Sequence, residues 1–281
     1  MPTVEVARKA GACYGVERAL DLARKTVDEA VGPVCTLGPI IHNPSIVRVL
    51  ERRGVRVVKD PEEAPAGSTL ILRTHGVAPS VERRAKAAGL ATVDATCPFV
   101  RKVHVAAERL AAEGYDVVVV GEAGHPEVEG TLGHVPNGIV VGSAQEARAA
   151  NLGRRVGAVV QTTLSMDVLR EVADVLVARC EEVRLLNTIC TATSERQQAA
   201  AELAGRADVM LVIGGRNSAN TTHLADICRE RCAATHHIEG ADEVDARWFE
   251  GAGLVGITAG ASTPVSQIEA VRAVVPMDAG A

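Results

Sequence analysis

The sequence predicts an α/β protein made of three similar α/β units related by a pseudo-threefold axis. The first sign is a repeat headed by cysteine. Asp94-Ala95-Thr96-Cys97 and Asn187-Thr188-Ile189-Cys190 lie 93 residues apart. Each leads through a helical stretch and a valine-rich strand to a glycine, Gly121 or Gly214, 24 residues after its cysteine. A looser copy, Gly11-Ala12-Cys13, leads to Val34-Cys35-Thr36-Leu37-Gly38, with the glycine 25 residues on. The second sign is composition. Hydrophobic residues make up 47% of the chain and aromatics only 2%, so the core is Val, Ala, Leu and Ile, which suits parallel strands covered on both faces. The third is order along the chain: short apolar runs alternate with amphipathic helices, the pattern of parallel α/β units.

Each unit has two halves. In the first, spanning 1–96, a helix follows Cys13, then come the strand Val34–Leu37 and a polar loop, His42-Asn43-Pro44. Its second half is Leu70-Ile71-Leu72, the turn Arg73-Thr74-His75-Gly76 and a helix from Pro79 to Ala88. The second unit, 97–189, runs from Cys97 through a helix to Val117–Val120 and the loop His125-Pro126-Glu127. It continues with Val159-Val160, the turn Gln161-Thr162-Thr163 and a helix from Met166 to Val177. The third, 190–281, holds Val209–Ile213, the loop Asn217-Ser218-Ala219-Asn220-Thr221, and Val255-Gly256-Ile257. A turn ending at Ser262 and a helix from Pro264 to Val274 complete it. Pro79 and Pro264 suit a first helical turn, where no amide donor is required. No Ser/Pro-rich linker separates the units, and residues 277–281 read as a frayed end.

A net charge of −5 leaves no nucleic-acid footprint. No apolar run reaches the ~18–20 residues that span a bilayer, and Met1-Pro2-Thr3-Val4-Glu5 lacks a signal pattern. The expectation is a cytoplasmic protein with reduced thiols and no membrane partner. Seven widely spaced cysteines, an odd number, argue for metal binding by a subset over a disulfide framework.

Cys13, Cys97 and Cys190 each stand just before a helix, whose N-terminus favours the thiolate that binds metal. Three equivalent thiols gathered on a threefold axis make a metal centre. Zinc would take three sulfurs and a water; a [4Fe-4S] cluster would leave one iron open. Spacing alone does not choose between them. Cys35, Cys180, Cys228 and Cys232 have no equivalents in the repeat and read as packing.

The polar loops repeat as well. His42, His125 and Ser218 each lie four residues after the glycine that ends a strand. Ligands of open α/β sheets bind beyond the C-terminal strand ends. His42, His75, His125, Glu127, Thr162, Ser218, Asn220 and Ser262 are therefore expected at one place with the thiols. Imidazoles, hydroxyls, amides and helix N-termini form an anion cradle. A carboxylate among them, Glu127, fits a proton donor or relay. His104, His134, His223, His236 and His237 read as ordinary, with His236-His237 on a solvated strand end. Neither a Walker motif nor GxGxxG is present, so a nicotinamide site is not indicated.

Taken together these motifs resemble the hydroxymethylbutenyl diphosphate reductase family of the methylerythritol phosphate isoprenoid pathway. The match runs through Gly11-x-Cys13-x-Gly15-Val16, His42-Asn43, Thr74-His75-Gly76-Val77 and Asp94-Ala95-Thr96-Cys97-Pro98. It continues through Gly124-His125-Pro126-Glu127, Gln161-Thr162-Thr163, Asn217-Ser218-x-Asn220 and Ala259-Gly260-Ala261-Ser262. The resemblance implies a trefoil of three α/β units around a central [4Fe-4S] cluster held by Cys13, Cys97 and Cys190. It implies an allylic alcohol diphosphate held by His42, His75, His125, Ser218, Asn220 and Ser262. Glu127, assisted by Thr162, delivers protons, and a ferredoxin or flavodoxin supplies two electrons. Isopentenyl and dimethylallyl diphosphate result. Ala219 and Gly215 stand where the family usually has serines, Thr188 where an aspartate is common, and Tyr14 where a small residue is common. The alternatives are a paralogue for another allylic diphosphate, a non-catalytic iron–sulfur redox sensor, and a zinc hydrolase with three thiolate ligands. A sensor needs neither Glu127 nor anion-binding loops, and visible absorption separates iron from zinc.

Overall fold

Twelve strands are found among the described residues, 2–276 of this computed structural model. In chain order they are β1 (Thr3–Val6), β2 (Val34–Leu37), β3 (Arg56–Val58), β4 (Thr69–Leu72), β5 (Ala91–Asp94) and β6 (Asp116–Val120). There follow β7 (Ile139–Val141), β8 (Arg155–Val160), β9 (Glu182–Leu185), β10 (Val209–Ile213), β11 (Thr235–Ile238) and β12 (Leu254–Ala259). The helices are α1 (Tyr14–Glu29), α2 (Pro44–Arg52), α3 (Pro79–Ala87), α4 (Pro98–Ala112), α5 (Pro126–Leu132), α6 (Ala144–Ala149), α7 (Met166–Arg179), α8 (Thr191–Ala204), α9 (Ala219–Arg229) and α10 (Val265–Val274). The run 277–281, expected to be frayed, lies outside the described residues.

The strands form three parallel four-stranded sheets, ordered β3-β2-β4-β5, β7-β6-β8-β9 and β11-β10-β12-β1. The order is the same each time, edge, centre, centre, edge. In the last sheet the fourth place is taken by β1, with Thr3 opposite Leu254 and Val6 opposite Ile257. The N-terminal strand thus pairs outside the span 1–96.

By contacts the chain forms two compact units. One is Met1–Tyr14 with His42–Pro44 and Thr191–Ala281, and holds the sheet closed by β1. The other is Gly15–Ile41 with Ser45–Cys190, and holds the other two sheets.

Central strands are apolar on both faces because both faces are covered. In β6, Val118 and Val120 join Leu169, Val172 and Leu176 of α7, while Val117 and Val119 join Val103, Ala107 and Leu110 of α4. In β10, Met210 and Val212 pack with α8 and α9, and Val209, Leu211 and Ile213 pack with Ile268 and Val271 of α10. Strand alternation makes this division. Pro79 opens α3, whereas Pro264 stands one place earlier than expected, as the cap of α10. With no amide to offer, proline fits either position.

Candidate active site

The three repeat cysteines occupy the same place relative to their sheets. Each is the residue immediately before a helix: Cys13 before α1, Cys97 before α4 and Cys190 before α8. Each cysteine amide donates to the carbonyl two residues beyond the end of a central strand. The pairs are Cys97 with Thr74 after β4 (2.9 Å), Cys190 with Thr162 after β8 (3.0 Å), and Cys13 with Ala261 after β12 (3.1 Å). Two of the approaches share a further turn: Asp94 Oδ1 accepts from the Thr96 amide at 2.8 Å, and Asn187 Oδ1 from the Ile189 amide at 3.1 Å. Thr188 is bound into β8, its hydroxyl donating to the Val160 carbonyl at 2.5 Å and accepting from the Val160 amide at 2.8 Å.

All three thiols are half-buried. Cys35, Cys228 and Cys232 are buried in the apolar clusters, as packing residues should be, and burial pushes the Cys228 thiol up to about 12. Cys180 is half-buried and packs against the cluster beneath α7.

In the unit that contains Cys97 and Cys190, the strand ends gather Glu127, Thr162, His125 and His75. Glu127 lies in the first turn of α5 and is 2% exposed. Its Oε1 accepts the Thr162 amide at 2.6 Å and its Oε2 accepts the Thr162 hydroxyl at 2.7 Å. Burial raises this carboxyl to about 7, and the two Thr162 donors oppose the rise. His125 caps α5, its Nδ1 accepting from the Glu127 amide at 3.1 Å. An accepting Nδ1 leaves the proton of a neutral ring on Nε2. The His75 and His125 rings meet edge to face, 5.6 Å between centroids.

The corresponding threonine of the first sheet has a different partner. Thr74 sends both its amide (3.3 Å) and its hydroxyl (3.0 Å) to the Ile40 carbonyl. The threonine geometry is repeated; the carboxylate belongs to the second sheet alone.

His104 and His134 do more here than an isolated histidine reading gives. Gly76, at φ +69°, ends the His75 turn, and a Cβ there would lie 2.4 Å from His104 Cε1. His104 is buried and stacks on His134 at 4.2 Å; burial lowers it to about 4, so it is neutral. His134 is bonded to Glu108 at 2.7 Å and to the Val77 carbonyl at 3.2 Å. The pair supports the turn that carries His75. Nothing in the spacing of two lone histidines announces this.

In the other unit, His42 and Ser262 lie in loops at the strand ends, and Ser218 and Asn220 stand at the cap and in the first turn of α9. Ser218 caps α9, accepting from the Thr221 amide at 3.4 Å. Asn220 is 6% exposed, and its buried Nδ2 has no partner among the described residues. Ser262 donates its hydroxyl to the His42 carbonyl at 3.1 Å. A Cβ at Gly215 would lie 2.9 Å from that same carbonyl and 2.7 Å from Asn217 Oδ1, so this loop excludes a serine there without a shift. His236 and His237, expected on a solvated strand end, are half-buried in β11. His236 stacks on Trp248 at 3.7 Å, and His237 Nε2 lies 3.0 Å from the Gly214 carbonyl.

Among the described residues no helix is long and apolar enough to cross a membrane. The family model described as LytB protein matches residues 4–275. A 4-hydroxy-3-methylbut-2-enyl diphosphate reductase of Geotalea uraniireducens is 47% identical over 269 residues, 95% of each chain. One of Aquifex aeolicus is 46% identical over 276 residues, covering 97% of this chain and 95% of its own. Among solved structures, an (E)-4-hydroxy-3-methyl-but-2-enyl diphosphate reductase, described as the terminal enzyme of the non-mevalonate pathway, is 45% identical with a TM-score of 0.72 and covers 97% of this chain and 98% of its own. The Plasmodium falciparum E-1-hydroxy-2-methyl-but-2-enyl-4-diphosphate reductase is 27% identical with a TM-score of 0.94, covering 99% and 89%. With the repeated cysteine geometry and a match over nearly its whole length, the chain belongs to the LytB family.

Proposed function

We propose that this chain is a reductase that removes the hydroxyl of 4-hydroxy-3-methylbut-2-enyl diphosphate, giving isopentenyl and dimethylallyl diphosphate. The carbon–oxygen bond breaks, the oxygen leaves as water, and the allyl group takes up two electrons and a proton. The observation that carries the reading is Glu127. A buried carboxyl raised to about 7 is poised to hold and to give up a proton near neutral pH, as a donor to a leaving hydroxyl must. Thr162 fixes both oxygens, and its amide and hydroxyl receive the anion once the proton has gone. His125, with its proton on Nε2, is the third catalytic member. The diphosphate is bound by His42, His75, His125, Thr162, Ser218, Asn220 and Ser262, donors that need carry no formal charge. The buried, unsatisfied Nδ2 of Asn220 supports this.

Cys13, Cys97 and Cys190 fit a [4Fe-4S] cluster: each is a half-buried thiol at a helix start, held the same way by its amide, while the core cysteines lack that setting. Such a cluster supplies electrons singly and leaves one iron without a protein ligand. Each of the spans 1–96, 97–189 and 190–281 contributes one cysteine. A ferredoxin or flavodoxin delivers the electrons, in the cytoplasm.

Anaerobic purification tests the reading. The protein should be brown, carry about four irons per chain, and consume the diphosphate substrate with a chemical reductant. Cys97→Ala should lose the iron and the turnover. A full iron complement in Cys97→Ala, or turnover by iron-free protein, overturns the assignment.

A further inference from the structure

Behind the anion-binding loops of the unit that carries His42 runs a chain of amide hydrogen bonds. Asn43 is 2% exposed. Its Nδ2 donates to the Ser262 carbonyl at 2.8 Å and to Gln267 Oε1 at 3.2 Å. Gln267 Nε2 donates in turn to the Glu239 carbonyl. Glu239 Oε1 accepts the Arg216 amide at 2.7 Å, at the start of the loop that leads to Ser218 and Asn220. Three loops that leave different strands are thereby held to one another, where no strand ladder reaches.

The donor inventory sets the role of these side chains. A primary amide has two N–H bonds, and both N–H bonds of Asn43 are committed to protein acceptors. Arg216 is committed too, its guanidinium turned to Glu243. Asn43 therefore has no N–H left to give a ligand. Gln267 sits in the first turn of α10, and its bonds to Asn43 and to the Glu239 carbonyl hold its amide.

We propose that Asn43 and Gln267 are positioning residues for the diphosphate, setting the His42 and Ser262 loops against the start of α9 that carries Ser218 and Asn220. The inference rests on the reading above, that these loops bind a diphosphate. Its test is binding of inorganic pyrophosphate by calorimetry, together with steady-state kinetics, on anaerobic holoprotein. Gln267→Met keeps the length of the side chain, removes both bonds and alters only a half-buried position. It should weaken pyrophosphate binding and raise KM by about tenfold, the size of one misplaced charge-assisted contact. Meanwhile kcat should stay within about twofold and iron content should not change. Gln267→Glu keeps the acceptor for Asn43 and should lie between Gln267→Met and wild type. Asn43→Ala, which also removes the bond to the Ser262 carbonyl, should lose at least as much as Gln267→Met, and the double variant should lose no more than the worse single one, because the two residues act as one unit. Wild-type pyrophosphate affinity in Gln267→Met, a loss in kcat at unchanged KM, or additive losses in the double variant would each overturn the proposal. Failure of the wild type itself to bind pyrophosphate would instead overturn the diphosphate reading.

Discussion

Replacing Glu127 with glutamine should cost turnover and gain stability, and the gain should appear only on the alkaline side. In the folded chain the carboxyl ionises near pH 7, against an ordinary 4.5, because burial strips water from the anion and the Thr162 donors restore part of that loss. Between these two values the folded state keeps a proton that the unfolded state has released. Stability therefore falls as pH rises through that window, and the loss is complete above about 7. At about 1.4 kcal/mol for each pH unit, the interval from 4.5 to about 7 amounts to about 3 kcal/mol. Glutamine has nothing to ionise. Its amide oxygen can accept the Thr162 N–H and its amide nitrogen can donate to the Thr162 hydroxyl oxygen, so both contacts survive.

Thermal unfolding of Glu127→Gln and wild type should coincide near about pH 5. At about pH 8.5 the variant should melt several degrees higher, as about 3 kcal/mol implies for a chain of this size. Over the same range its turnover should be about 10²–10⁴-fold lower, the usual contribution of a positioned acid. Parallel melting profiles for the two proteins would refute the buried, proton-holding carboxyl. Near-normal turnover would refute its role as donor.

Thr162→Val removes the hydroxyl that stabilises the Glu127 anion. Activity that needs the protonated acid falls as pH rises, and in this variant the fall should come about one to two pH units later, read from the pH profile of kcat/KM; an earlier fall contradicts the geometry. Ala219→Ser restores a hydroxyl at the start of α9 and should lower KM for the diphosphate about tenfold with kcat little changed; a raised KM would favour a pocket shaped for another allylic diphosphate. Gly76→Ala places a methyl 2.4 Å from His104 Cε1 at a left-handed backbone position and should destabilise the protein by about 2–4 kcal/mol, seen in denaturant titration; an unchanged midpoint removes the His104 support.

The central strands were legible in the sequence because each is a continuous apolar run covered on both faces, as in Val117–Val120. The edge strands were not. β3, β5 and β9 are three or four residues long and carry exposed polar positions such as Arg56, Thr92 and Glu182, since only one side of each is paired. No apolar run marks them. The pairing of β1 with β12 joins residues some 250 positions apart, and local pattern carries no trace of it. In the candidate site the cysteines and the His42, His125 and Ser218 positions followed from the repeat. The grip of Thr162 on Glu127 did not, because Thr74 sits at the equivalent place and binds a backbone carbonyl. His104, His237, Asn43 and Gln267 escaped notice as supports because a residue that holds a loop from behind has no spacing of its own.

The strand borrowed from the start of the chain sets an order of assembly. The sheets of β2–β5 and β6–β9 contain strands close in sequence, so each can form as soon as its own span, 34–94 or 116–185, exists. β1 has no such partner: during synthesis its edge waits unpaired until β12 emerges, and such an edge is open to pairing with other chains. Closing that last sheet is thus the late, long-range event, and it is the sheet whose loops carry Ser218, Asn220 and Ser262. A truncation that removes residues 1–6 leaves the two sheets that follow it intact and strips the edge from the one furthest away in sequence.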